Sequence, residues 1–194
     1  SANREALQLL GQAITLVHAL ADGKERIETE LDLQLAMGQA ALAQYGYSAP
    51  ETAKIFAQAE VLAQRVDHPQ RYYSILYGLW ATNVIHGRLG QGSDLARRFL
   101  ERASQGDDHA YKCIGHRMVG VVAFYRGQLQ TANEHLERAI AFYDPDQHGG
   151  LALHFGTDIG VAAHLFLAWN DAVRGRPQSA QQHAETALTL ATRL

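Results

Sequence analysis

The sequence repeats itself. Gly127-Gln-Leu129 is followed by Ala132, Leu136 and Ala139, and the same order returns as Gly87-Arg-Leu89, Gly92, Ala96 and Phe99, displaced by 40 residues at every position. A third copy, displaced by 48, runs Gly175-Arg-Pro177, Ala180, Ala184 and Ala187. A looser one has Gly46, Thr52, Phe56 and Ala59, with one extra residue in the turn. Self-similarity at this period marks stacked supersecondary units. Each unit buries its apolar face only against its neighbours, so the copies must be laid in series.

The units are helical. Leu7, Leu10, Ile14, Val17 and Leu20 recur at three- and four-residue steps, as do Ile27, Leu31, Leu35 and Leu42, and such steps place them on one helix face. No stretch alternates apolar and polar residues long enough for a strand. Breaks at Asp22-Gly23, Gly46 to Pro50, Asp67 to Pro69, Gly87, Gly106, Gly127, Asp144 to Gly156 and Gly175 to Pro177 predict nine helices. They span about 3–21, 24–45, 50–66, 69–86, 89–105, 108–126, 129–143, 158–174 and 177–193. Glycine closes a helix where a left-handed backbone is needed, and the small residues that follow let the next helix press close. Gly38 or Gln39, Trp80, Gly120 and Ala168 occupy the matching place on the preceding helices. The expectation is an all-α chain read as one domain over 1–194, with helix pairs at about 24–66, 69–105, 108–143 and 158–193 after one leading helix.

Composition fits a folded chain: 47% of the 194 residues are hydrophobic and 19% charged. The net charge of −3 and the lack of a basic run argue against nucleic acid, which requires clustered Lys and Arg. The single cysteine, Cys113, excludes an internal disulfide framework and any thiolate-rich zinc site, and favours a cytoplasmic setting. No apolar run reaches the roughly 18 residues that span a bilayer; Val161 to Val173 is interrupted by His164, Asn170 and Asp171. The chain starts and stops within helical pattern, as expected of a segment of a longer protein.

The run Gly-x-Leu-x-x-Ala-x-x-x-Leu-x-x-Ala at 127–139 resembles the second half of a tetratricopeptide repeat, with Asp144-Pro145 where that family often places its proline. The resemblance covers about 24 to 194. Tyr143 to His148, and Phe155 to Asp158 through Leu167-Ala-Trp169, are similar to a narrower group: the repeat region of large bacterial signalling ATPases with adenylate-cyclase-like or transcription-regulator output domains. The resemblance implies an α-solenoid with a right-handed superhelical curve, serving as a sensor or protein-docking arm.

In such a superhelix the first helix of each pair lines the concave face. The frame then places Tyr77, Ala81, Val84 and Ile85 there in the second pair. Arg117, Val121, Phe124 and Tyr125 follow in the third, and Leu165, Trp169, Ala172 and Val173 in the fourth. An apolar groove with aromatic anchors and one arginine suits a peptide or helix better than a polyanion. The expected function is therefore docking of a protein, a peptide or a neighbouring domain. The alternative is a small-molecule sensor controlling an attached ATPase or cyclase. A homodimer through exposed repeat faces is a further possibility that the fold allows.

Connections as long as 144–158 are usually functional or disordered. His148, His154 and Asp158 are candidates for a segment folding over the groove, whereas Asp144 and Asp158 also suit plain helix caps. Asp144, Asp146, His148, His154 and Asp158 match no metal-ligand spacing, so no metal or other cofactor is expected. Ten histidines are present without a His-Glu-x-x-His pattern. His116 and His164 fall at equivalent places in consecutive repeats, which points to packing and hydrogen bonding within the stack. Gly87, Gly90 and Gly92 follow no strand and precede no Gly-Lys-Ser/Thr, so they form no phosphate loop. Glu28 and Glu30, or Asp107 and Asp108, lie at helix starts, where they suit the dipole. No acid–base pair shares a cleft, and no enzyme activity is expected.

Overall fold

The computed structural model describes residues 2–66 and 69–193, with the side chains of all of these except 69, 70, 153 and 154. The described residues contain helices and no strand. They are α1 (Ala2–His18), α2 (Lys24–Tyr45), α3 (Pro50–Ala63), α4 (Pro69–Ile85), α5 (Leu89–Ser104), α6 (His109–Tyr125) and α7 (Leu129–Phe142), the single turns α8 (Pro145–His148) and α9 (Ala152–Phe155), α10 (Ile159–Val173) and α11 (Pro177–Ala191). The nine long helices lie where the sequence predicts them, ending up to three residues early. The expected break at Asp67 to Pro69 falls at residues 67 and 68, outside the described ones.

The repeat glycines terminate helices as their backbone freedom dictates. Gly87, Gly127 and Gly175 have φ of 70°, 71° and 73°, a region costly to residues with a Cβ. After each, two reversed hydrogen bonds close the helix end. Gly127 N–H donates to Phe124 C=O and Gln128 N–H to Ala123 C=O, both at 2.9 Å, and the pattern recurs at Gly87-Arg88 and Gly175-Arg176. These bonds satisfy carbonyls that the helix itself leaves open.

The chain forms two compact units, 1–88 and 89–194, where the sequence suggests one domain. The pair expected at 69–105 therefore contributes α4 to the first unit and α5 to the second. In the first unit, α1 packs on α2, α2 on α3, α3 on α4, and α2 also reaches α4. The buried Phe56 ring lies at the centre. A Cβ on Gly38 of α2 would come within 2.9 Å of that ring, and one on Gly78 of α4 within 2.4 Å. Glycine at both positions lets two helices close on one aromatic side chain. Thr52, in the small-residue place of the frame, donates its hydroxyl to Gly46 C=O at 2.9 Å.

In the second unit, α5 packs on α6, α6 on α7, α7 on α10 and α10 on α11, with α6 also touching α10. Ala132, Leu136 and Ala139 of α7 are fully buried. A Cβ on Gly120 of α6 would sit 2.7 Å from Leu136. Small residues here allow close crossings, as the sequence requires. Of the equivalent residues in α11, Ala187 is buried and Ala184 exposed.

Connection 144–158 is an ordered series of turns: α8, a 3-10 turn at Gly149–Leu151, and α9 ending at Gly156 with φ of 72°. One of the polar residues that interrupt the apolar run of α10 is anchored to its neighbours. Asp171 is buried, accepts a short hydrogen bond from the Ser179 hydroxyl, and has Arg176 at 3.9 Å and Arg174 at 4.0 Å. Arg174 donates to Asn133 at 2.7 Å and Gln130 at 2.8 Å, tying α10 to α7. No described helix is long and apolar enough to cross a membrane.

Candidate functional site

Of the residues expected on a groove wall, half lie open and half do not. Tyr77, Ala81, Arg117 and Val121 are buried, with Arg117 only 4% exposed. The correction has a packing cause. α6 is flanked by α5, α7 and α10, which leaves little of its circumference free, and a helix turns about 100° per residue. Residues at four-residue steps along one side therefore pass from an open edge into a seam. Tyr77 stacks within its own helix on Trp80, ring centroids 5.4 Å apart.

The last turn of α6 and the middle of α10 do form an open apolar face. Phe124 packs against Phe166 (5.7 Å, edge-on), Trp169 (6.4 Å) and its neighbour Tyr125 (5.7 Å). Phe166 in turn meets Tyr125 at 5.8 Å and Trp169 at 5.0 Å, both edge-on. These are the favoured aromatic arrangements and separations. Tyr125 remains 50% exposed and Trp169 45% exposed. Leu165, Trp169 and Val173 continue the surface along α10 at four-residue steps, with Leu165 37% and Val173 65% exposed. Phe166, central to the cluster, is absent from the groove wall derived from the frame. Its signal was the three-residue step to Trp169, which places both on one side of α10.

The segment expected to cover this face is occupied with its own structure. Asp158 is buried, caps α10 by accepting from Val161 N–H at 2.8 Å, and accepts from the Tyr143 hydroxyl at 2.7 Å. His148 is buried and its Nδ1 accepts from Asp144 N–H at 3.0 Å. Asp144 caps α8. The plain capping role thus holds for both aspartates, and the side chain of His154 lies outside the described residues.

Two side-chain pairs repeat. His116 and His135 bring their Nδ1 atoms to 3.0 Å, and His164 and His183 do the same one repeat later. Each pair joins the two helices of a hairpin, α6 to α7 and α10 to α11. Burial, then His135 and Arg138, push His116 down to about 4 from 6.5. Because the folded state disfavours the protonated ring, the unfolded chain binds more protons between those pH values, and stability must fall as pH drops from about 6.5 towards 4. Urea midpoints at pH 5 and pH 7.5 are expected to differ in the wild type. His116→Gln, which carries no proton, is expected to narrow that difference; an unchanged difference would remove the histidine from the effect.

Cys113 is buried in α6, and burial pushes its thiol up to about 12, far from nucleophile chemistry. Among the described residues no group of three or more His, Cys, Asp or Glu gathers as a metal site. The first unit has an open surface pocket of about 440 Å³ between α1, α2 and α3, lined by residues including Ile14, His18, Glu30, Gln34 and Met37. Neither a protein-family model nor a curated protein matches the chain.

Proposed function

We propose that this chain is a tetratricopeptide-like repeat array that docks a peptide or a neighbouring domain on the aromatic face of α6 and α10. The observation that carries the reading is the cluster of Phe124, Tyr125, Phe166 and Trp169. Its rings are ordered by mutual edge contacts while Tyr125 and Trp169 keep about half their surface open. Large, rigid, half-open aromatics are the side chains that contribute most to partner binding. The repeated glycine caps, the small residues at helix crossings and the packing of successive helices within each unit support the repeat assignment. The likeness of 143–169 to bacterial signalling ATPases suggests that the docked group belongs to such a regulatory system, in the cytoplasm. No catalytic step is part of the proposal.

Pull-down with the wild-type chain as bait, followed by Tyr125→Ala and Trp169→Ala, tests the face directly. Loss of the captured partner on either substitution is the expected result, and full retention by both would refute the reading. A second reading, a small-molecule sensor, draws on the 440 Å³ surface pocket of the first unit, a volume within the range of ligand pockets. Thermal melts against a metabolite library separate the two, because a ligand of the folded state raises the midpoint by mass action.

A further inference from the structure

We propose that His164 and His183 form a binding site for one imidazole-preferring divalent metal ion, of the Zn²⁺ or Cu²⁺ class, that clips α10 to α11. The two Nδ1 atoms are 3.0 Å apart, with ring centroids 5.2 Å apart and planes 39° from each other. Zn–N bonds are about 2.0–2.1 Å long, so a tetrahedral ion holding two nitrogens needs them about 3.3–3.4 Å apart. The existing pair reaches that separation by moving apart a few tenths of an ångström, with no change of helix position. Both rings are partly buried, His183 with 17% of its side chain exposed, and water completes the coordination of the ion.

The proton balance closes. In the metal-free pair one Nδ1 carries the hydrogen and the other accepts it. On binding, both Nδ1 lone pairs go to the ion, and the displaced proton returns to Nε2 of the ring that lost it. No proton is released when both rings are neutral. Burial holds His164 below the usual histidine range, which keeps it available as a ligand. Glu137 of α7 has its Oε1 4.0 Å from His183 Nε2. At that distance the carboxylate is beyond hydrogen-bond range, and its part is to attract a cation to the pair.

The equivalent pair one repeat earlier has the same 3.0 Å spacing but a different surround. Arg138 acts on both His116 and His135, with Glu134 near His135 alone, and Phe142 stacks on His116 at 5.9 Å. At the first pair Arg138 therefore opposes a cation and offsets Glu134, whereas at the second Glu137 attracts one. The first pair serves as an internal control for the second.

Isothermal titration of the untagged full chain with Zn²⁺, together with Cu²⁺ electron paramagnetic resonance, tests the site. One equivalent of Zn²⁺, nitrogen hyperfine structure from two imidazoles and no uptake of Mg²⁺ are expected. His164→Asn and His183→Asn are each expected to weaken Zn²⁺ binding at least tenfold, Glu137→Gln to weaken it less, and His116→Asn to leave it unchanged. Melting curves in EDTA check that each variant is folded, and a Zn²⁺-dependent rise in midpoint confined to chains with both histidines is a second readout. Zn²⁺ binding that survives loss of His164 and His183, or falls equally with His116, would overturn the proposal, as would no binding at all.

Discussion

Phe56→Ala is expected to lower the unfolding free energy of the first unit by about 3–5 kcal/mol, the range for emptying a buried aromatic site. The ring is 1% exposed and lies where α2, α3 and α4 meet. Gly38 and Gly78 have no side chain with which to refill the space, and both helices are held apart from collapse by their other buried residues, among them Leu31 and Leu76. The cavity left behind is therefore kept rather than closed, which places the cost at the upper end. The converse substitution, Gly78→Ala, inserts a methyl group 2.4–2.6 Å from three atoms of the same ring. The ring has little room to retreat, because the backbone of Gly38 lies on it so closely that a Cβ there would also come within 2.9 Å, so overpacking costs about 1–3 kcal/mol. Urea denaturation followed by circular dichroism measures both. A loss below about 1.5 kcal/mol for Phe56→Ala would show that the crossing is loosely packed and that the glycines are not there to admit the ring.

These same residues show how far the sequence could be read. The breaks in the pattern located the long helices among the described residues, because glycine or proline at the boundaries and apolar residues at three- and four-residue steps are local demands written into the chain. Of the places the repeat frame gives for tight crossings, Gly38 (offered with Gln39) and Gly120 are close approaches, whereas on α4 it gives Trp80 and the close approach is at Gly78. Other features depend on how neighbouring helices rotate, and there the frame fell short. It chose α6 and α10, which carry an aromatic surface, but also α4, and it assigned Tyr77, Ala81, Arg117 and Val121 to the groove, although each of them is buried. It passed over Phe166, whose exposed partners Tyr125 and Trp169 come from different helices. The turns of 144–158 left little periodic trace, since four-residue helices are held by caps such as Asp144 and by His148 rather than by an apolar face. The division between Arg88 and Leu89 carries no linker signal, because Gly87 closes α4 as Gly127 closes α6. The histidine pairs, by contrast, were legible: the 48-residue shift that relates His116 to His164 also relates His135 to His183.

Asp158→Ala is expected to cost about 1–3.5 kcal/mol, combining about 0.5–2 for a lost N-cap with about 0.5–1.5 for the lost hydrogen bond to the half-buried Tyr143 hydroxyl. The carboxylate holds two groups at once. One oxygen accepts from Val161 N–H in the first turn of α10, and the other accepts from the Tyr143 hydroxyl. Burial and Asp158 together push the Tyr143 phenol above its ordinary range, so the hydroxyl keeps its proton and remains a donor. The Tyr143 ring cannot follow a different partner, because it lies across Gly160 so closely that a Cβ there would be 2.3 Å from it. Without the carboxylate, that half-buried hydroxyl loses its partner and the helix start loses its favourable charge. Tyr143→Phe removes the donor instead of the acceptor and is expected to cost about 1 kcal/mol, since Asp158 retains its capping bond. In the double variant the unpaired hydroxyl no longer exists, so its loss should be smaller than the sum of the two single losses. Denaturant midpoints of the four chains give the coupling. Strict additivity would mean that Tyr143 and Asp158 act separately and that the hydrogen bond contributes nothing to seating α10.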